Sequence, residues 1–315
     1  MALLEVQHIS KKIEDKVLID DITFQQQALQ KLAIAGESGS GKTTLLKMIT
    51  GHAQPTGGMV LFNKERVIGP DEQLLPGHPQ MAYLSQHYGL LNNYRVEELI
   101  WFENKLAEEE ANKLFSICRI SHLLTRRTDE LSGGEKQRIA LCMLLVKKPV
   151  FLALDEPFSN LDPIHTEILK KVLDDITEKL QITCLLTSHD PHDTLSWADE
   201  ILVIKDGMLL QQGSPQELYH KPFNEYVAGM FGKYNLLKPH IAALFGIDSK
   251  GNDLMTRPEN FRIYKTGSGV KGIINKVSFW GSYYEAEVGI EDARIIVRNN
   301  SNEWKPGDKI FVAIK

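Results

Sequence analysis

The run Gly36-Glu37-Ser38-Gly39-Ser40-Gly41-Lys42-Thr43 sets three glycines, a lysine and a hydroxyl at the spacing G-x-x-x-x-G-K-[ST]. Glycines let successive backbone N–H groups curl around a polyphosphate, and a helix beginning just beyond them turns its positive end toward the anion. In such a loop Lys42 reaches the β- and γ-phosphates, and the Thr43 hydroxyl ligates Mg²⁺ beside them, with Thr44 leading into the helix. By itself this loop means nucleotide binding without saying which chemistry follows. Two further polar clusters stand at the ends of apolar runs: Asp155-Glu156 after Val150 to Leu154, and His189 after Ile182 to Leu186.

These residues need strands and helices to bring them together. Lys31 to Ala35 reads as a strand entering the glycine loop, and the run after Thr43 reads as the helix leaving it. From Leu3 to about Gly229, β-branched runs alternate with helical stretches, the pattern of an α/β fold. Arg95 to Leu106 and Glu108 to Ile120 read as helices, the second with Ala111, Leu114, Phe115 and Cys118 on one face. Leu131-Ser132-Gly133-Gly134-Glu135 opens another helix. Ser132 and Glu135 form a capping box, which a helix start alone would explain. A cap does not require Gly133-Gly134, and these expose backbone N–H groups as a second anion site. Asp162-Pro163 is a helix start for Ile164 to Leu180, with Ile164, Ile168, Val172 and Ile176 expected on one buried face.

The 315 residues, 43% hydrophobic and 24% charged, describe a folded protein of two unequal domains. The longest apolar run, Ile139 to Val146, is far below the ~20 residues of a membrane span, and no secretory apolar region stands near the N-terminus. The expected location is therefore cytoplasmic, with any membrane contact made through a partner. Cys118, Cys142 and Cys184 form no C-x-x-C, which excludes a cysteine-built zinc site and reads as three buried thiols. A net charge of −5 offers no overall attraction for nucleic acid.

Taken in order, the motifs resemble those of the nucleotide-binding subunit of an ATP-binding cassette (ABC) transporter. The order runs phosphate loop, Gln86 in Tyr83-Leu84-Ser85-Gln86, LSGGE signature, Asp155-Glu156, Ser159-Asn160-Leu161-Asp162 (the D-loop) and a switch histidine, and the likeness spans about residues 3 to 235. It implies an α/β P-loop ATPase domain over 1–235 with a helical subdomain at about 90–148. It also implies that Gly36 through Thr44 bind ATP and that Asp155, with Thr43 and Gln86, serves Mg²⁺ directly or through water. Glu156 would orient or deprotonate the attacking water, and His189 would contact the γ-phosphate. Ser132, Gly133, Gly134 and Glu135 would close the ATP held by a second copy, and Asp162 would lie across the same head-to-tail interface. Partners implied are that second copy, separate membrane permease subunits gripped by the helical segment, and an extracytoplasmic solute-binding protein. The location implied is peripheral, on the inner face of the cell membrane.

Three departures stand out. Ile13 is where the family places an aromatic ring on adenine, Asn92-Asn93-Tyr94-Arg95 differs from the usual sugar-importer stretch, and Leu141-Cys142-Met143 replaces an arginine-bearing run.

After a linker at 236–255, residues 256–315 resemble the small all-β (OB/TOBE-like) barrel at the C-terminus of importer ATPases for sugars, polyamines, iron, sulfate and molybdate. Arg257-Pro258-Glu259, strands at Lys271 to Val277, Tyr283 to Val288, Arg294 to Val297 and Lys309 to Ile314, and the Pro306-Gly307-Asp308 turn carry that likeness. Trp280, Tyr283, Tyr284 and Trp304 read as core or interface aromatics rather than an RNA-stacking platform. The expected function is ATP hydrolysis driving solute import. Alternatives are an exporter subunit or a soluble cassette ATPase of DNA repair or translation. The latter would call for paired cassettes, a coiled-coil insertion or a basic face, none of which is evident. A GTPase lacks its N-K-x-D motif here, and an inert cassette would not need Lys42, Asp155, Glu156 and His189 intact.

Overall fold

The computed structural model describes residues 2–87, 89–104 and 106–315. Two compact units divide after Pro215.

The first unit is built on two sheets. Strands β1 (Ala2–Ile13) and β2 (Lys16–Gln27) form a hairpin, and β4 (Gly57–Phe62) and β5 (Glu65–Arg66) extend it into an antiparallel sheet of order β2-β1-β4-β5. The other sheet holds β3 (Leu32–Ala35), β6 (Met81–Leu84), β7 (Phe151–Asp155), β8 (Thr183–Ser188), β9 (Glu200–Lys205) and β10 (Met208–Gly213), in the order β10-β9-β3-β8-β7-β6. All but β10 run parallel. Parallel strands are covered on both faces, so β3, β7 and β8 are buried at every position, which is why they read as continuous apolar runs. Leu4, Phe24 and Phe62 from one sheet and Ile34, Phe151 and Leu202 from the other lie in a single core, where Phe62 meets Phe151 edge-on at 5.9 Å.

Helices α1 (Lys42–Ile49), α4 (Gly133–Leu145), α5 (Pro163–Leu180) and α6 (Pro191–Trp197) accompany this sheet, while α2 (Val96–Glu103) and α3 (Glu108–Ile117) lie between Gln86 and the signature. The expected helix over 95–106 thus spans 96–103, and Lys105 lies outside the described residues. Along α5 the buried face is Leu169, Val172, Leu173 and Ile176, whereas Ile164 is 73% exposed. Of the expected face, Val172 and Ile176 are buried and Ile168 is half-buried, and the expectation fails at Ile164, in the first turn, where burial has not yet begun. No described helix is long and apolar enough to cross a membrane.

The second unit, from Gln216, begins within α7 (Pro215–His220) and continues through α8 (Glu225–Met230). Residues 236–255, read as a linker, include most of β11 (Asn235–Leu237), all of α9 (Pro239–Leu244) and the start of β12 (Leu254–Thr256), with Leu237, Ile241 and Ala242 in the unit's core. Strands β13 (Phe261–Tyr264), β14 (Val270–Phe279), β15 (Tyr284–Ile290), β16 (Ala293–Asn299) and β17 (Lys309–Ile314) form an antiparallel sheet of order β13-β17-β14-β15-β16. Its end strands β13 and β16 approach one another, curling the sheet toward a barrel. Trp304 is in the core, while Trp280 is half exposed at the β14–β15 tip. Arg257 of the Arg-Pro-Glu triplet is buried, lies over the Tyr219 ring and donates to the carbonyls of Tyr219, Ala228, Gly232 and Lys233; Glu259 accepts the Tyr219 hydroxyl. The triplet is a structural clasp.

Burial lowers the pKa of both His52 and His78, with Lys47 adding to the effect at His52. A depressed folded-state pKa makes the unfolded chain the better proton acceptor, so stability is full above the ordinary histidine range and falls as pH drops through it. Urea midpoints should decrease between about pH 7.5 and 5.5, and His52→Gln should lessen that decrease.

Candidate active site

Strand β3 delivers the chain into the glycine loop, and α1 leaves it with Gly41 at its N-cap, in left-handed conformation at φ 104° and with no side chain capping the helix. A Cβ on Gly41 would come within 2.8 Å of the Leu18 carbonyl oxygen and 2.6 Å of Ile19 Cδ1, so geometry and crowding both require glycine. The uncapped helix start faces a cleft of about 260 Å³ lined by Leu18, Ser38, Gly39, Gly41, Lys42, Thr43, Thr44, Gln86 and Glu156. Lys42 is 4% exposed; its ammonium donates to the Gly36 and Glu37 carbonyls at 2.8 and 2.9 Å and stands 3.6 Å from Glu156. Burial lowers its pKa, and Glu156 and Asp155 oppose that shift.

Asp155, 3% exposed, ends β7 opposite Thr187 of β8. Three hydroxyls donate to its carboxylate: Thr43 at 3.0 Å, Thr187 at 2.8 Å and Tyr83 at 3.1 Å. Burial and the adjacent Asp155 push the Tyr83 phenol well up, so it stays a donor. The Thr187 hydroxyl also accepts the Glu156 N–H at 2.9 Å, and one side chain thereby fixes both acids.

At Glu156 the backbone turns left-handed, φ 46°, which swings its carboxylate away from the strand. There it gathers three groups: Lys42, the Gln86 amide at 3.3 Å and His189 Nδ1 at 3.1 Å. Two adjacent carboxylates therefore differ sharply, one buried under hydroxyls and one facing the cleft among a cation, an amide and an imidazole. A phosphate on the loop and a water beside Glu156 is the arrangement this can serve, that is, hydrolysis of a phosphoanhydride.

The other expected site residues lie elsewhere. Ser132 caps α4, its hydroxyl accepting the Glu135 N–H at 3.3 Å while its own N–H donates to the Glu135 carboxylate at 2.8 Å; Arg126 also donates to Glu135, at 3.3 Å. Asp162 caps α5. None of Ser132, Gly133, Gly134, Glu135 and Asp162 lines the cleft. Ile13, at the end of β1, is 54% exposed and is not among the lining residues, whereas Leu18 is.

Residues 19–159 match the ABC transporter family, and residues 254–315 match the TOBE domain. The chain carries an ABC transporter ATPase domain. Among its relatives is the spermidine/putrescine import ATP-binding protein PotA of Clostridium acetobutylicum, 29% identical over 99% of this chain and 94% of that protein. PotA of Spiroplasma citri is 28% identical over 99% and 95%. Among solved structures, cbiO1 of Clostridium perfringens, part of the ABC transporter complex cbiONQ, shares 25% identity with a TM-score of 0.60 over 69% of this chain and 90% of its own. An ATP-binding cassette of an ABC transporter in its ADP conformation shares the fold, at 21% identity and TM-score 0.63 over 73% of this chain and 98% of its own.

In this ABC ATPase, Thr187 and Tyr83 were missed as site residues. Thr187 could have been found by pairing the ends of β7 and β8 in parallel register, which sets it opposite Asp155. Thr187→Val keeps the shape but removes the hydroxyl that joins both acids. Steady-state kinetics should show kcat reduced about tenfold or more with ATP affinity changed far less, and Tyr83→Phe should cost less than Thr187→Val.

Proposed function

We propose that two copies of this ABC ATPase sandwich ATP head to tail and use its hydrolysis to drive import of a solute through separate membrane subunits. The observation that carries this reading is the convergence of Lys42, Gln86 and His189 on Glu156 beside the glycine loop.

In this mechanism the loop N–H groups and Lys42 bind the β- and γ-phosphates. Thr43 and Asp155 offer two hard oxygens 3.0 Å apart, a donor set that fits Mg²⁺, with Gln86 as a further oxygen. When bound, Mg²⁺ neutralises charge on the phosphate oxygens. Glu156 takes a proton from water as the water oxygen bonds to the γ-phosphorus and the bond to the ADP oxygen breaks. His189 holds that water and the γ-phosphate in line, and Gln86 links the site to the helical segment after it.

Support for a second copy comes from the signature and D-loop, which stand outside the chain's own cleft, and from Ile164, a large apolar residue exposed beside Asp162. A groove of about 240 Å³ lined by Leu84, Leu90, Ala140 and Met143, next to Gln86 in the chain, is the proposed seat for a permease segment. An extracytoplasmic binding protein would deliver the solute to that system from the other side of the membrane. Because the relatives named above are ATP-binding proteins of spermidine/putrescine import, polyamines are the first cargo to test. The proposed functional division is an ATPase domain over 1–235 and a β-module over 256–315 serving dimer contact or regulation, although the second compact unit already begins at Gln216 and takes residues of 236–255 into its core.

Lys42→Ala should abolish tight ATP binding. Glu156→Gln should keep binding, accumulate as an ATP-bound dimer in light scattering and reduce turnover by at least about a hundredfold. Hydrolysis by Glu156→Gln at the parental rate would refute the assignment. Uptake of labelled putrescine by cells carrying this chain with its membrane subunits should be lost with either variant.

A further inference from the structure

The first turn of α5 meets the start of α4 at His165. Its backbone N–H donates to Asp162 Oδ1 at 2.9 Å, and its ring Nδ1 lies 2.6 Å from Asp162 Oδ2. These bonds hold the Asp162 carboxyl below the usual range, so the carboxylate is the acceptor and Nδ1–H the donor. Pinned this way, the ring lies against Gly134. A Cβ added to Gly134 would stand 2.7 Å from His165 Cδ2, 3.0 Å from Cγ and 3.1 Å from Cβ. At Gly133, by contrast, an added Cβ meets nothing within 4 Å. Alanine is the better helix former at either position, so helix propensity does not account for the glycines, and at Gly134 the His165 ring fills the space that a side chain would take. A second tie lies one turn on, where the buried Gln137 amide donates to the Pro157 carbonyl between β7 and α5.

We propose that His165 is a positioning residue that clamps the signature to the D-loop, and that Gly134 lacks a side chain because this imidazole occupies the space. Ser132 to Glu135 and Asp162 then move as one block. The inference rests on the proposed function, in which these are the elements one copy presents to the nucleotide of the other. It makes a size-exchange prediction that a purely nucleotide-facing glycine does not.

The full chain is purified as Gly134→Ala, His165→Ala and the double variant, each in native and Glu156→Gln backgrounds. Binding of a fluorescent ATP analogue to the monomer reports folding and the glycine loop, and should stay within about twofold throughout. Gly134→Ala should reduce kcat by about tenfold or more and raise the ATP concentration for dimerisation, because the clash forces the signature away from Asp162. Adding His165→Ala should bring kcat back to within about threefold of the His165→Ala single variant, a coupling opposite in sign to additive damage. His165→Ala alone should raise the half-saturating ATP for dimerisation and leave monomer binding in place. A double variant as impaired as Gly134→Ala, or a Gly134→Ala that behaves like the parent, would overturn the clamp. Failure of the plain Glu156→Gln protein to dimerise would instead overturn the shared-site reading, with the rescue of kcat still reporting on the clamp.

Discussion

A carboxylate buried to 3% exposure, Asp155, must find donors or it destabilises the fold that buries it. It finds three hydroxyls, and they come from three different places: the first turn of α1, β6 and β8. Satisfying this one group therefore aligns the ends of neighbouring strands with the glycine loop. The same Thr187 hydroxyl that donates to Asp155 accepts from the next residue's N–H, so the geometry of Glu156 is inherited from the solvation of Asp155. The cleft is where it is because a buried charge needed partners there.

Chemical difference between the two acids follows from one backbone turn. β7 ends at Asp155, facing inward, and the left-handed φ at Glu156 directs the following carboxylate toward Lys42, Gln86 and His189. In that cluster an ammonium, an amide and an imidazole compete for two carboxylate oxygens. A phosphate would offer Lys42 a stronger acceptor, freeing an oxygen of Glu156 for water.

Much of this was legible in the chain. The glycine loop, the two strand ends, the capping box at Ser132 and the N-cap at Asp162 are local patterns, each fixed by residues within a few positions of one another. What escaped is non-local. Thr187 and Tyr83 matter only because β8 and β6 flank β7, and the exposed Ile164 reflects where α5 meets the sheet rather than its periodicity. The contact of His165 with Gly134 joins segments about thirty residues apart that no spacing rule connects. In the second unit the strands after Val270 were readable as alternating runs. The packing of Leu237 and Ile241 was not, because a short helix between turns carries little periodic signal.

The strand order β10-β9-β3-β8-β7-β6 carries a consequence for synthesis. Strand β3, which feeds the glycine loop, is made within the first 35 residues, yet its two sheet neighbours, β8 and β9, come about 150 or more residues later. On a ribosome the loop emerges long before the walls that hold it, and Leu32 to Ala35 gain their first lateral partner only after β8 is made and their second only after Lys205 has left the exit tunnel. A chain truncated during translation before β9 would contain every residue of the phosphate-binding motif while lacking one of the two strands that flank β3.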